Sequence, residues 1–523
     1  MKRYPKKLFF LSTLVAALGL ISSTPYCLHA TIFTVTTTNN SGPGSLPVII
    51  IQANATPGNN VIQFAVTNAI TPGFQLPTIT NNVTITGRTD VPTVISGGGI
   101  LPLFTFAAGT TNSLSNLVLA NGYTTSSGAA INNSGTLYVS GCLMTNNFAP
   151  GGYGGAVSNA SSMTIANTTF QNNRATNGGA LFSAGDMTIT HCLLSQNQAG
   201  NGGAIYNTGT LGLDSVNISN NVAQAGYASS GGGGIYNTGA LTISKSIFVG
   251  NTATGELSSQ SASSGHGGAL SSFSGSVGIT NSTFYQNTAI GGLGNGYGGA
   301  VHVNTGYCAL NNCTVTDNLS KLGALGNTNV WAGFAGGIAN ANGTVLLLNT
   351  IVASNSASTH WPDLNGVFVS NGFNLIGNNQ GATGLSIFDF QNVAANLGTL
   401  QNNGGSTLTC APLQGSFAIG SGTSIGAPTT DQRGVPRPQG GAFDIGAVQV
   451  VTGSPFVAGG AMVSNSGFNL NTIFDATNSY RLQASTNLTT WIDLSTNYSG
   501  GSMRFIDTAA TNLNHRFYRT STP

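Results

Sequence analysis

The residues able to do chemistry are few and widely spaced. Between residues 98 and 380 the only acids are Asp186, Asp214, Glu256, Asp317 and Asp363, and the only Lys or Arg are Arg174, Lys245 and Lys321. Four histidines, His191, His266, His302 and His360, complete that set. Cleaving a sugar chain by acid–base catalysis needs two ionisable groups within a few ångströms of one another. Such a site would lie in the loops or near the denser run Asp431, Arg433, Arg437 and Asp444. Phosphate chemistry is not indicated, because no Gly-Lys-Ser/Thr follows the glycine runs. Metal chemistry is not indicated either. No C-x-x-C pair accompanies Cys308, Cys313 and His302, and Gly151-Gly152-Tyr153-Gly154 lacks the aspartate of a calcium nonapeptide. No cofactor is expected.

What positions these residues is a repeat. A large apolar residue is followed three places later by asparagine at Val118/Asn121, Met144/Asn147, Phe170/Asn173, Leu194/Asn197, Ile218/Asn221, Phe248/Asn251, Phe284/Asn287, Val315/Asn318 and Val352/Asn355. Gly-Gly elements begin at Gly154, Gly178, Gly202, Gly233, Gly267, Gly298 and Gly336, with a weaker copy at Gly128, and each precedes its pair by 15 to 17 residues. Short alternating runs such as Met163-Thr164-Ile165, set between Gly/Asn/Ser turns at a tightest period of 24, read as several strands per coil. Glycine and β-branched residues disfavour helix throughout. One coil cannot bury its own apolar face, so coils must stack at the strand spacing of ~4.8 Å, giving roughly 38 Å of axis for the nine pairs.

The asparagines have a physical task in such a stack. A turn between strands orphans backbone groups, and an inward amide can satisfy them while bonding the equivalent amide one coil away. Asn147, Asn173, Asn197, Asn221, Asn251, Asn287, Asn318 and Asn355 are therefore expected to form a ladder, and Asn197→Ala is expected to cost about 1 to 3 kcal/mol. In this register Asp186 and Asp214 lie roughly 13 Å apart along the strands and do not pair.

Insertions enter at one point of the repeat, over residues 222–232, 252–266, 288–297 and 319–335, and must emerge side by side along one edge. They carry Tyr227, His266, Tyr297, Trp331 and Phe334 among Gly, Ser and Asn. Tyr227, His266, Tyr297 and Trp331 are the candidate binding residues, since exposed rings stack on sugars or pack against a partner protein. Tyr297 and Phe334, adjacent to glycine elements, are expected rather to fold back over the coil edge.

Lys2, Arg3, Lys6 and Lys7 followed by an apolar run from Leu8 to Ile21 and by Leu28-His29-Ala30 read as a secretory signal over residues 1–30. The run is short for a membrane span. Removing it leaves 10 of 14 basic residues against 12 acids, a formal charge of −2, so nucleic acid is not an expected partner. Cys142, Cys192 and Cys313 stand two places before their apolar markers and read as small buried thiols of one inward column; Cys142 and Cys192, two coils apart, are too distant for a disulfide.

Gly202-Gly203-Ala204-Ile205 and Phe284-Tyr285-Gln286-Asn287 resemble the repeats of chlamydial polymorphic outer membrane proteins. Asp431-Gln432-Arg433-Gly434-Val435-Pro436-Arg437-Pro438 with Asp444-Ile445-Gly446-Ala447 is similar to the end motif of choice-of-anchor Q proteins, as are Ser41 to Leu46, Asn371 to Gly377 and Asn402 to Gly405. Gly420 stands where that family commonly has Asp, and Gln449 where it often has Glu. The resemblance implies a right-handed parallel β-helix on the bacterial surface or outside the cell. The expected organisation is a signal (1–30), an N-terminal cap with the first coils (31–97), the repeat helix (98–380), an end segment with the anchor motif (381–450) and a small aromatic-rich β-sandwich-like module (456–523). A non-enzymatic, monomeric protein that adheres to a polysaccharide or cell-surface partner is the expected function. A carbohydrate-active enzyme is the alternative, and a structural spacer the third reading.

Overall fold

The computed structural model describes residues 30–224, 230–256, 263–323, 333–439 and 441–450, and in the C-terminal module 462–464, 467–474, 480–487, 489–498, 501–509 and 516–521. The signal-like segment 1–29, Tyr227 and Trp331 lie outside the described residues.

A parallel β-solenoid fills most of the chain, and one tight coil shows its construction. Ile205–Asn207, Thr210–Asp214, Asn217–Ser219 and Val222–Gln224 are four short strands, each paired in parallel with its counterparts in neighbouring coils. Alternation decides the inside: Ile205, Leu211, Leu213, Val216, Ile218 and Ala223 are all buried. The third strands of successive coils make a twelve-stranded parallel sheet. Its inward column, Met144, Phe170, Leu194, Ile218, Phe248, Phe284, Val315 and Val352, has no exposed surface, and Phe248 and Phe284 stack at 4.7 Å. The column of Cys142, Cys192 and Cys313 is likewise buried, and the thiols are free.

Left-handed residues make the corners. Asn167, His191, Ser215, Lys245, Asn281, Asn312 and Asn349 turn the chain from second strand to third with φ between 46° and 58°. His191 is thus a corner residue.

Register corrects three details. Leu119, not Val118, pairs with Met144, so Asn121 falls at the corner position and Gly122 at the ladder position. The glycine element of one coil begins at Gly232 rather than Gly233, because Ile235 must align inward with Ile205. In the last coil Ala335 takes the positive-φ place ahead of Gly336. Helix is also present. Leu46–Ala55, with Pro at its first turn, lays Leu46, Ile49, Ile50 and Ala53 over the first coils, where no further coil would cover the apolar core.

The end segment folds back on the solenoid. Thr407 donates to the Lys245 carbonyl, Asn281 to that of Thr430, Asn312 to those of Asp444 and Gly446, and Asn349 to that of Thr423. Outward residues beneath it, Ile247, Thr283, Thr314 and Ile351, are at most 1% exposed, whereas Val118, Leu143, Thr169 and Leu193, earlier in that sheet, are half-buried. Two open clefts, of about 420 and 400 Å³, lie along those uncovered turns.

Among its described residues the C-terminal module has two three-stranded antiparallel sheets. Asp507 of one joins the other by accepting from the Tyr518 hydroxyl at 2.9 Å and forming an ion pair with Arg516 at 2.8 Å. Arg481 lies 3.6 Å from Asp493, and Arg519 sits over the Trp491 ring, so these cations are engaged internally.

Candidate functional site

The asparagine column forms a hydrogen-bonded ladder. From Asn147 through Asn173, Asn197, Asn221, Asn251, Asn287 and Asn318 to Asn355, each Nδ2 donates to the Oδ1 one coil on at 2.9 to 3.0 Å. That Oδ1 also accepts the backbone N–H of the donating asparagine, and Nδ2 donates a second time to a carbonyl of the preceding coil, as Asn197 does to Phe170. Every rung is satisfied on both sides. The ladder ends on a carboxylate: Asn355 donates through N and Nδ2 to Asp363 Oδ1, and the Asn378 N–H donates to the same group. Donors face that position from both directions, so an acceptor is required there. Asp389 ends a shorter run in the same manner, accepting from Asn374 N and Nδ2. The ladder holds the scaffold together and offers no ligand a free group.

The anchor-motif residues are equally engaged. Asp431 is fully buried; its carboxylate accepts from Arg433 Nε and Nη2 at 2.8 and 2.7 Å and from the backbone N–H groups of Arg433, Val435 and Gln449. Arg437 donates to the carbonyls of Asp444 and Gly446 and to Asn281 Oδ1, and burial lowers its guanidinium to about 10. Asp444 accepts the N–H groups of Gly420 and Val450; burial raises its carboxyl above the ordinary range. Gln449 Oε1 accepts from Asp444 N–H and Arg437 Nη1. The cluster bonds the end segment to itself and to the turn at Asn281, an arrangement suited to clasping. Asp186 and Asp214 sit at opposite ends of adjacent strands, facing Thr210 and Thr190.

The insertion-bearing edge is different. After the fourth strand the insertions return through Ser230–Gly231, Gly265–His266, Gly296–Tyr297 and Gly333–Phe334, a small parallel sheet of its own. Its register puts His266, Tyr297, Phe334 and His360 in one column, stacked at 5.3 to 5.6 Å. Tyr297 and Phe334 thereby fold back over the coil edge. Five residues on in each coil runs a second outward column, Phe182, Tyr206, Tyr236, Ser271 and His302, with Tyr206 and Tyr236 stacked at 5.1 Å. His266 and His302 meet where the columns face, with ring centroids 4.5 Å apart.

Beside that pair the stacking is interrupted. Gly231 lacks a side chain where the first column would continue below His266, and Ser271 stands where the second lacks a ring. The result is a cleft of about 300 Å³ lined by Asn201, Ser230, Gly231, Tyr236, His266, Ser271, Phe273, His302 and Asn304. A Cβ on Gly231 would come within 2.8 Å of the Tyr236 ring, so glycine keeps the cleft open. Ser230 Oγ, His266 Nδ1 and His302 Nδ1 are buried there without a hydrogen-bond partner. Desolvation lowers His266 to about 4; desolvation and the neighbouring His266 hold His302 well below its ordinary value, so both imidazoles are neutral at pH 7.

Of the candidate binding residues, the structure thus brings His266 and Tyr297 together, while Tyr227 and Trp331 lie outside the described residues. His302, Ser230 and Tyr236 were not among the candidates; the recurrence of Ile-Tyr-Asn at 205–207 and 235–237 is the signal that places Tyr206 and Tyr236 in one column. Among the described residues no group of three or more His, Cys, Asp or Glu is placed to hold a metal ion.

Strands, corners and ladder define a parallel β-helix protein. Residues 167–184 and 191–208 match the Chlamydia polymorphic membrane protein (Chlamydia_PMP) repeat. Each stretch contains one apolar/Asn step and the following glycine element, so the chain is similar to that repeat in the parts that build corner and ladder. No curated protein matches the chain. Among the described residues no helix is long and apolar enough to cross a membrane.

Proposed function

We propose that the chain is a non-enzymatic β-helix protein of the bacterial surface or outer membrane, exported through residues 1–30, that attaches to a glycan or protein partner through its insertion-bearing edge. The cleft at His266 and His302 carries this reading. Three buried polar atoms without partners, set among aromatic rings on an outer edge, suit a binding surface. Similarity to the Chlamydia polymorphic membrane protein repeat supports the location, and the end-motif resemblance to choice-of-anchor Q proteins agrees with it. Against catalysis at the anchor motif stands the engagement of Asp431 and Asp444 in the clasp, where hydrogen bonds already hold both carboxylates.

Purified protein incubated with algal, plant and bacterial polysaccharides and passed over a size-exclusion column tests this. Co-elution with intact polymer, lost in His266→Ala or Trp331→Ala, is expected. Shortened polymer would overturn the non-enzymatic reading, and the absence of any co-eluting polymer or surface protein would overturn attachment.

A further inference from the structure

Among the described residues of these two columns, the cleft between Tyr236 and His302 is where rings and hydrogen bonds both stop short. From Phe182 to His302 only Ser271 lacks a ring, and from His266 to His360 the neighbouring column is continuous. Leaving a buried donor or acceptor unmet is unfavourable, and three residues that line the cleft, Ser230, His266 and His302, each carry one such atom. Ser230 is 1% and His302 5% exposed, so bulk water does not meet their needs. A ligand that both donates and accepts would, and hydroxyl groups do both. The rings of Tyr236 and Phe273, 6.0 Å apart and inclined at 25°, offer apolar faces for the C–H face of a sugar.

Charge narrows the ligand further. Among the described residues no Lys, Arg, Asp or Glu lines the cleft. A carboxylate, sulfate or phosphate seated there would be buried without a counter-charge, at a cost of several kcal/mol. The volume, about 300 Å³, is at the small end for ligand sites and admits one ring with its hydroxyls.

Resting on the attachment reading above, we propose that this cleft binds a single neutral pyranose residue of a glycan, stacked on Tyr236 and Phe273 and hydrogen-bonded by Ser230, His266 and His302. The probes are the methyl glycosides of glucose, galactose, mannose, xylose and N-acetylglucosamine, with methyl glucuronide, methyl galacturonide and sialic acid as charged counterparts and adenine as a neutral flat heterocycle, titrated into the full protein by calorimetry at pH 7.

At least one neutral glycoside is expected to bind at least tenfold more tightly than the charged sugars. Ser271→Phe, which supplies the missing ring, should weaken that binding at least tenfold at an unchanged melting temperature. Ser230→Ala, which removes one oxygen and no volume, should weaken it about threefold or more and keeps the test valid should the larger side chain unfold the edge. Charged sugars binding as well as neutral ones, adenine binding in their place, or indifference to both variants would overturn the proposal. So would no binding by any glycoside. Polymer co-elution that survives Ser271→Phe and Ser230→Ala would refute the cleft while leaving surface attachment intact; loss of all co-elution in wild type would refute both.

Discussion

Replacing Asn197 by alanine removes more than one hydrogen bond. Its Oδ1 accepts both the Asn173 N–H and one Asn173 Nδ2 hydrogen, and its own Nδ2 donates to Asn221 Oδ1 and to the Phe170 carbonyl. Alanine leaves two buried donors of Asn173 without an acceptor and takes a donor from Phe170. At roughly 1 to 3 kcal/mol for each of the two orphaned donors, the loss is about 2 to 6 kcal/mol, above the single-partner figure expected from sequence. Asn147, the first rung, accepts only the Gly122 N–H from the preceding coil, so Asn147→Ala should cost about half as much. Asn197→Asp keeps the acceptor for Asn173 but turns a second oxygen toward Asn221 Oδ1. It should be worse than alanine at pH 7 and recover on acidification, because a carboxyl pushed up by burial holds its stabilising proton only below its raised pKa. Urea unfolding followed by circular dichroism gives the magnitudes, and hydrogen exchange should place the loss at residues 169–224. Equal costs for Asn147→Ala and Asn197→Ala, or a cost below 1 kcal/mol at Asn197, would refute a ladder in which each rung serves the previous one.

Acid should act on His266 and Asp363 in opposite senses. His266, lowered to about 4, favours the folded state above its unfolded value and loses that contribution as pH falls from about 6.5 to 4. Burial raises Asp363 to about 6, so its contribution is present below its unfolded value and lost as pH rises through 6. Because Asp363 is common to both proteins, the stability of His266→Gln relative to wild type should rise by about 3 kcal/mol between pH 7 and pH 4; parallel pH profiles would contradict a buried neutral imidazole. In the clasp, Asp431→Asn removes the carboxylate that pairs with the buried Arg433 guanidinium at 2.7 Å, which should cost about 3 to 5 kcal/mol. Limited proteolysis is expected to open the chain after residue 400 while the coils before Lys245 keep their wild-type melting, and wild-type resistance there would remove the clasp's role.

Periodicity made the ladder legible, because a position repeated eight times against a core of fixed spacing leaves the inward face little freedom. Irregular copies were harder. Val118/Asn121 fits the spacing as well as the true pairs do, and only pairing with Met144 shows that Gly122 holds the ladder position. The helix at Leu46–Ala55 occurs once, so no repeat announces it, and its Ile-rich run suits a strand equally well. Contacts from residues 407–447 to turns up to 186 positions earlier carry no local sign in either partner. The cleft depends on what Gly231 and Ser271 lack, and absent rings become visible only when neighbouring coils are set in register. Position in the repeat identifies His266 as an edge residue, whereas His302 lies inside the regular coil, where nothing local sets it apart.

The clasp also sets an order of events. Its seat comprises corners of coils that must already be stacked, so it is the last part of the solenoid that can close as the chain is laid down from its N-terminus. Until then Ile247 and Ile351 lie bare, continuing the strip that Val118, Leu143 and Leu193 present in the finished molecule. A chain cut short before residue 403 would therefore show a longer apolar strip than a complete one, a surface by which unfinished copies differ from finished ones before any activity is measured.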